Sequence, residues 1–284
     1  MNLLDLKALY DNGVNIVEYL EQQGVARNEA IALSYDLQAG SYTKYAASNQ
    51  EYTDKYTTEL ASILNNLSKD AQSLMEVGVG EATTLANVRS RMTVDVESIG
   101  FDISLSRILF ARQYFATHGK GSARFFVGDL FEIPFADNSI EPNGGREKQA
   151  LQELYRVAGK YLVLFEPSYE LATAEGKERM DRLGYVKDLA SIAAELGMKV
   201  IKYKLTDTCV NPLNPTALLL IEKDKHATSK SSAVYCCPQT KARLKLSNGS
   251  YWSDSALKIY PIILDVPCLT NEHGIVATHY SEFI

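Results

Sequence analysis

From residue 73 onward, short apolar runs alternate with stretches that have the apolar periodicity of a helix. The first run is Ser73–Val77, and later runs end at Asp102, Val127 and Phe165. Short strands that alternate with helices are typical of a parallel sheet whose strands are joined by helical crossovers. This alternation constrains the fold more than any other feature, and it predicts an α/β protein.

Two further runs, Lys199–Leu205 and Thr216–Glu222, are joined by a loop that contains Pro212 and Pro215. A direct connection without a helix predicts that this pair is antiparallel and lies at the edge of the sheet. Ser104 is expected to cap the helix that follows the second run. A helix is also expected over about 186–196.

Residues 1–70 carry apolar side chains at helical spacing, which predicts an N-terminal helical cap. A polar and aromatic segment at 34–42 is broken by Gly40. We favour an interhelical turn there over a lid. If the segment is a lid, its candidate ligand-contacting residues include Tyr35 and Tyr42.

The polar segment 224–233 lacks periodicity and is predicted to be a linker between domains. The α/β domain would then span residues 71–223. Residues 234–284 are rich in turns, and Asn248-Gly249 is a strong hairpin signal. We expect a small β-rich module in this last region.

Charge and composition exclude several classes of function. Lys and Arg total 29 against 35 Asp and Glu, and a net charge of −6 lacks the basic excess that binds nucleic acid. The longest apolar runs fall far short of the roughly 20 residues that span a membrane. The N-terminus lacks the pattern of a secretory signal, and four irregularly spaced cysteines do not form a disulfide framework. We expect a cytoplasmic protein with no nucleic-acid or membrane partner.

Acidic residues follow three successive strands at the points where those strands end. Glu76 precedes Gly78 and Gly80, Asp102 ends the second run, and Asp129 follows the third. A glycine turn before a helix presents backbone N–H groups to a ligand, and an acid after the second strand can accept the hydroxyls of a ribose. Any one acid could merely cap a turn, but three in register favour a ligand site.

The glycine pattern discriminates between ligands. A nicotinamide site requires G-x-G-x-x-G, and Thr83 occupies the third glycine position. This substitution opposes a nicotinamide-dependent oxidoreductase. The chain also lacks the P-loop lysine that a triphosphate requires. The acids suit a ligand that offers an amine, a ribose diol and an adenine amino group, a set found in S-adenosylmethionine.

The successive motifs resemble those of class I S-adenosylmethionine-dependent methyltransferases over residues from about 31 to 223. They are Glu76-Val-Gly-Val-Gly-Glu-Ala, Ile99-Gly-Phe-Asp102 and Phe126-Val-Gly-Asp129-Leu130. The resemblance implies a Rossmann-like, doubly wound sheet with an antiparallel last strand, and S-adenosylmethionine as cofactor. It implies that Glu76, Gly78 and Gly80 receive the methionine part, that Asp102 binds the ribose, and that Asp129 lies at the adenine. Leu130, next to Asp129, is a further cofactor-binding candidate. Ala82 replaces the third glycine of the motif.

The chain departs from this family between Asp129 and Tyr161. The family has a fourth strand there, but 130–145 is short and is interrupted by Pro134 and Pro142, so no strand fits. Either the chain is shortened in this region, or the sequence lacks a segment between Asp137 and Pro142. A non-catalytic S-adenosylmethionine-binding or scaffold protein therefore remains the alternative to an enzyme.

The acceptor side is less defined by the sequence. Methyl transfer depends mainly on proximity and alignment, so we assign no catalytic residue. Glu166 and Tyr169 follow the predicted strand that ends at Phe165, and His279 lies in the C-terminal tail. All three are candidate substrate contacts. A small-molecule acceptor is expected, and the sequence leaves a homodimer open.

The C-terminal module resembles the small zinc-ribbon-type domain that activates certain methyltransferases. The resemblance rests on Cys237-Pro238, on Tyr260-Pro261-Ile262-Ile263 and on Val266-Pro267-Cys268-Leu269. A zinc site needs four well-spaced thiolates or imidazoles. Thr240 stands where the second cysteine of the first pair belongs, so we expect a metal-free module.

Overall fold

The computed structural model describes residues 3–136, 146–209, 211–223 and 234–283. The predicted linker 224–233 and the segment from Asp137 to Pro142 lie outside these ranges. No helix in the described ranges is both long enough and apolar enough to cross a membrane.

The N-terminal region consists of helices. They are α1 (Leu3–Asp11), α2 (Ile16–Gln22), α3 (Arg27–Gln38), α4 (Ser41–Ser48) and α5 (Gln50–Leu67). The turn expected at 34–42 is shorter than predicted, since α3 continues to Gln38 and only Ala39 and Gly40 separate it from α4. Gly40 has φ +91°, a left-handed conformation that glycine adopts without steric cost. The polar residues before Gly40 remain helical because the side chains of Asp36 and Gln38 accept hydrogen bonds from Ser106 and Arg107, at the start of a later helix.

A parallel sheet follows, as the alternation predicts. Its strands are β1 (Ser73–Val77), β2 (Glu97–Asp102) and β3 (Ala123–Val127), in the order β1-β2-β3, and the crossover helices are α6 (Thr83–Arg91) and α7 (Leu105–His118). Ser104 caps α7 by accepting a hydrogen bond from the N–H of Arg107 at 3.1 Å, as predicted. The register pairs Glu76 with Gly100 and Asp102 with Val127. The carboxyl ends of these strands therefore lie at one edge of the sheet.

A second sheet contains β4 (Tyr161–Pro167), β5 (Lys199–Leu205) and β6 (Thr216–Glu222) in the order β4-β6-β5. Both pairings are antiparallel, which confirms the predicted antiparallel last strands. The helices of this half are α8 (Arg146–Val157), α9 (Ala174–Leu183) and α10 (Leu189–Glu195). The last of these begins later than predicted, because Asp188 before it has φ +59° and is not helical.

The α/β class is thus confirmed, but the described strands form two three-stranded sheets. Within the part of the chain that the structure describes, β1 pairs only with β2, and β4 pairs only with β6. The two halves are joined by helices, with α5 and α8 packing across both.

The C-terminal region is a small, mainly antiparallel β structure, as predicted. Its strands are β7 (Lys245–Ser247), β8 (Ser250–Ser253), β9 (Lys258–Ile263), β10 (Val266–Pro267) and β11 (Ile275–Val276). The β7–β8 hairpin turns at Asn248 and Gly249, which have φ +48° and +72°. Two consecutive left-handed residues are the geometry that Asn-Gly favours in tight hairpins.

This β-rich region packs directly on the edge of the parallel sheet. The N–H of Leu269 donates to the carbonyl of Val127 at 2.8 Å, and the N–H of Cys236 donates to the carbonyl of Pro134 at 2.8 Å. Phe126 on β3 is fully buried and stacks edge-on against Tyr235, with ring centroids 5.3 Å apart. The β-rich region and the parallel sheet therefore share one apolar core.

We predict that Phe126→Ala destabilises both regions together. Truncating a fully buried phenylalanine costs about 3–5 kcal/mol. Trp252, the only tryptophan, is buried in the β-rich region and reports its unfolding by fluorescence. The tryptophan transition in urea should shift with the circular-dichroism transition. Phe283→Ala, at a 79% exposed position, is the matched control and should leave both transitions in place. A tryptophan transition unaffected by Phe126→Ala would contradict a shared core.

Candidate functional site

A cavity of about 1150 Å³ opens at the carboxyl ends of the parallel strands and extends between β1 and β4. It brings together most residues that the sequence singles out. The predicted site residues in its lining are Tyr35, Glu76, Gly78, Asp102, Asp129, Leu130 and Glu166. Gly80, Tyr42, Tyr169 and His279 are not in its lining.

The turn between β1 and α6 forms one wall of the cavity. Gly78 and Gly80 have φ +65° and +54°, which explains why glycine stands at both positions. Ala82 also has a left-handed conformation, with φ +55°, and its side chain is fully buried. The N–H of Val79 donates to the carbonyl of Phe101 at 2.9 Å, so the turn is bonded to β2.

Asp102 fixes this turn from the end of β2. Its carboxylate accepts the N–H of Gly80 at 3.1 Å with Oδ2 and the N–H of Ser104 at 2.9 Å with Oδ1. Burial raises the pKa of Asp102, and these hydrogen bonds and the charge of Arg107 partly offset the rise. A carboxylate has about four lone-pair positions, so the side chain retains capacity to accept hydroxyl donors.

Glu76 lies deeper, where β1 meets the cavity. Burial raises its pKa to about 8, and the N–H of Leu85 in the first turn of α6 partly offsets this rise. Burial also raises the pKa of Glu166 at the end of β4. The pKa of the Tyr56 phenol is also raised. Burial is the main cause, and the nearby carboxyls of Glu76 and Glu166 raise it further.

Asp129 lies beside these groups at the end of β3. It accepts the N–H of Phe131 at 2.8 Å, and burial raises its pKa. The next residue, Leu130, contributes to the apolar core and to the cavity wall. Acids thus lie at the carboxyl ends of three neighbouring strands, at one edge of the sheet. Such a set can accept hydrogen bonds from amines and hydroxyls.

Glu81, which the sequence analysis did not single out, joins the N-terminal helices to the glycine turn. Its buried carboxylate accepts three backbone N–H groups at the start of α4, from Gly40 at 2.9 Å, Tyr42 at 3.2 Å and Thr43 at 2.8 Å. A carboxylate at a helix N-terminus satisfies N–H groups that have no partner within the helix. An acid inside a glycine turn was the available signal, but its partners are about 40 residues away in sequence.

Arg107 on α7 holds the lid candidates. Its guanidinium lies 4.6 Å from the ring centroid of Tyr35 and 5.0 Å from that of Tyr42, and it donates to Gln38 at 3.0 Å. Of the two tyrosines, Tyr35 lines the cavity and Tyr42 does not. The tyrosines therefore pack on a cation that stands next to the glycine turn.

The remaining candidates lie elsewhere. Tyr169 donates to Asp181 at 3.2 Å, and the ammonium of Lys187 lies 4.4 Å from its ring centroid. His279 is exposed and contacts Glu282 at 2.7 Å. Neither residue reaches the cavity lining. Among the residues that the structure describes, no group of three or more His, Cys, Asp or Glu side chains could hold a metal ion.

Comparison of the sequence with protein-family models and with curated proteins finds no match. Among solved structures, the chain is similar to magnesium protoporphyrin IX methyltransferase from Synechocystis PCC 6803 with bound SAM, at 10% identity and a TM-score of 0.48, covering 70% of this chain and 98% of that one. It is also similar to a chain from the complex between a methyltransferase activator and a putative methyltransferase of Haloferax volcanii, at 16% identity and a TM-score of 0.45, covering 66% and 96%. A putative sarcosine dimethylglycine methyltransferase from Galdieria sulphuraria is similar at 12% identity and a TM-score of 0.41, covering 60% and 84%.

We predict that Glu81→Ala releases α4 from the glycine turn. The buried N–H of Gly40 and the part-buried N–H groups of Tyr42 and Thr43 lose their acceptor. The cost is about 1–3 kcal/mol for a buried group that stays without a partner. Trypsin should cleave faster at Lys44 on α4, as measured by mass spectrometry of the native protein. Glu29→Ala, at an exposed position on α3, is the control and should leave the cleavage rate unchanged. Equal cleavage in the two variants would show that Glu81 does not hold α4.

We predict that Glu76 makes the protein less stable as pH rises. The folded state keeps the proton up to about pH 8, whereas the unfolded chain releases it near the ordinary value of 4.5. Between these values the folded state binds more protons, so the free energy of unfolding falls by up to about 1.4 kcal/mol per pH unit. Glu76→Gln should remove this loss between pH 5 and 8 in urea titrations. Glu175→Gln, exposed on α9, should retain it; identical pH dependence in Glu76→Gln and the wild type would exclude the raised pKa.

Proposed function

We propose that the chain binds S-adenosylmethionine in this cavity and transfers its methyl group to a small-molecule acceptor. One observation carries the proposal: Glu76, Asp102 and Asp129 lie at the carboxyl ends of three neighbouring parallel strands and line one cavity together with the glycine turn. Ligands of α/β sheets bind at the carboxyl ends of the strands, and a glycine turn lets a ligand approach the backbone closely.

Each of the three acids would interact with a different part of S-adenosylmethionine. Glu76, beside the start of α6, would face the amino group of the methionine part. Asp102 would accept the ribose hydroxyls with the lone pairs that Gly80 and Ser104 leave free. Asp129 and Leu130 would contact the adenine, one through a hydrogen bond and the other through its apolar side chain.

The cofactor, when bound, supplies a methyl group on a sulfonium. The chain's own residues would bind and orient the two reactants, because methyl transfer requires mainly proximity and alignment. Glu166 lines the same cavity from β4, and its raised pKa suits it to take a proton from an acceptor. Tyr35 on α3 also lines the cavity and would contact the acceptor there.

The alternative is a protein that binds S-adenosylmethionine without turnover. One observation favours it: Glu166 and the cofactor-binding acids belong to sheets that do not pair in the described residues. Their relative position then depends on helix packing rather than on a shared hydrogen-bond ladder. We further propose a cytoplasmic location, with which the free thiols of Cys209, Cys237 and Cys268 agree.

We predict that S-adenosylhomocysteine binds the wild type and binds Asp102→Asn at least tenfold more weakly in calorimetric titration. The substitution removes the charge and one of the oxygens that would accept the ribose, while the side chain keeps its size. Asp207→Asn, at an exposed position in the β5–β6 loop, is the matched control and should bind as the wild type does. No binding to the wild type would overturn the proposal.

Turnover separates the two functions. Incubation with S-adenosylmethionine and a panel of small acceptors should release S-adenosylhomocysteine if the chain is an enzyme. Binding of S-adenosylhomocysteine with no turnover on any acceptor would favour the non-catalytic alternative.

A further inference from the structure

Two strand edges face the same part of the cavity. All residues of β1 and the residues of β4 from Tyr161 to Glu166 contribute to its lining. Each strand uses one edge to pair within its own sheet, through β2 and β6 respectively. In the described part of the chain, the opposite edges do not pair with each other. The cavity is therefore bordered on two sides by backbone N–H and C=O groups.

The two strands run in the same direction. Lys160, just before β4, forms an ion pair with Asp70, just before β1, at 3.8 Å. Near the other ends of the two strands, Glu76 and Glu166 line the same cavity. From the ion pair at their starts and the shared cavity at their ends, we infer that β1 and β4 are parallel.

Helices cover both faces of the space between these strands. On one face, Leu60 and Leu64 of α5 belong to the apolar cluster that includes Leu74 of β1 and Val163 of β4. On the other face, α8 packs against β1: Leu154 and Val157 share a cluster with Met75 and Val77. The space between the strands is therefore apolar above and below.

Hydrogen bonds hold these helices to both halves of the molecule. On α5, Asn65 accepts the N–H of Thr93 at 2.9 Å, and Glu59 accepts the N–H of Asp207 at 2.7 Å. On α8, Arg156 donates to the carbonyl of Phe135 at 2.6 Å. Lys223, the residue after β6, donates to the carbonyl of Tyr155 in α8 at 2.7 Å. These bonds fix the two sheets relative to each other while their facing edges remain apart.

Burial shows which strands are incompletely covered. β2 and β6, the middle strands of the two sheets, are almost wholly buried. β1 has no fully buried residue. On β4, buried and half-buried residues alternate from Tyr161 to Phe165, and Glu166 is exposed. Apolar strands that stay half-exposed are typical of an interaction surface.

We propose that the space between β1 and β4 accepts an extended aliphatic peptide strand, about five residues long, from another polypeptide. The strand would lie parallel to both edges and join the two halves into one sheet, in the order β3-β2-β1-strand-β4-β6-β5. It satisfies the backbone groups on both edges, which a lipid chain cannot do, and buried backbone groups need such partners. Because both faces are apolar, its side chains are aliphatic on both sides, as in buried parallel strands.

Hydrogen–deuterium exchange of the full chain tests the proposal with a matched pair of peptides. The probe is acetyl-Lys-Val-Ile-Val-Ile-Val-Lys-amide, and the control has proline in place of the central valine, which removes a ladder donor and fixes φ. The probe should slow exchange at least tenfold in both β1 and β4, and the control should not. Exchange in β5, an outer edge strand, should not change.

Three results would overturn the proposal: no protection by the probe, equal protection by the proline control, or protection of β1 and β4 by dodecanoate alone. The last would assign the space to a small apolar ligand. The proposal does not depend on the proposed methyl transfer, since S-adenosylhomocysteine titration is a separate measurement. If the probe protects β1 and β4 in a protein that does not bind S-adenosylhomocysteine, the strand site is supported and the proposed methyl transfer is not.

A substitution within the space provides a second test. Val163→Arg places a charge between β4 and α5 and should abolish protection by the probe. Ile201→Arg, at a 45% exposed position on β5, should not. Unchanged exchange in β2 and β6 would show that both variants are folded. Retained protection in folded Val163→Arg would contradict this location for the strand.

Discussion

The candidate site depends on the conformation of the glycine turn after β1. Two carboxylates hold this turn in place by accepting hydrogen bonds from backbone N–H groups. Asp102 accepts the N–H of Gly80 from the side of β2, and Glu81 binds three backbone N–H groups of the N-terminal helices. Both carboxylates are buried, where charge-assisted hydrogen bonds to backbone groups are strong. The turn conformation, the position of α6 and the attachment of the cap are thereby coupled, so the cavity wall is formed by the fold rather than by a ligand.

The sequence predicts the parts of this site that depend on local order along the chain. Glu76, Asp102 and Asp129 are predictable because each lies at the carboxyl end of a recognisable strand, and parallel strands place their carboxyl ends at one edge. Glu81 and Arg107 were not predicted, since their partners at 35–43 are remote in sequence and only tertiary packing brings them together. The same reason explains the shortened turn at 34–42, where contacts to α7 keep polar residues helical. Tyr169 and His279 were placed by proximity in sequence to a strand and to the tail, which does not determine where those segments go.

The relation between the two halves is the feature that local sequence describes least. Short strands and their directions follow from apolar runs and loop lengths, and β4, β5 and β6 agree with that reading. Whether β1 and β4 are neighbours depends on what lies between them, and the proline-containing stretch after Asp129 gives no strand pattern. In the structure, α5 and α8 take the role of connecting the halves, through Glu59, Asn65 and Arg156. In the part of the chain that the structure describes, the two sheets are thus joined by side-chain hydrogen bonds from helices and not by a ladder of backbone hydrogen bonds between adjacent strands.

This arrangement links the proposed strand site to the proposed methyl transfer. Glu76, Asp102 and Asp129 are fixed by the parallel sheet, whereas Glu166 is fixed by the antiparallel one. The proposed methyl transfer would require the acceptor and the methyl group to be held in alignment, and a misplacement of about 1 Å is costly. Helix packing alone permits more relative motion than a shared ladder, because side-chain contacts are less directional than backbone pairing. A strand that pairs with both β1 and β4 would fix Glu76 and Glu166 in one register, so occupancy of the space would set how well the two sides of the cavity act together.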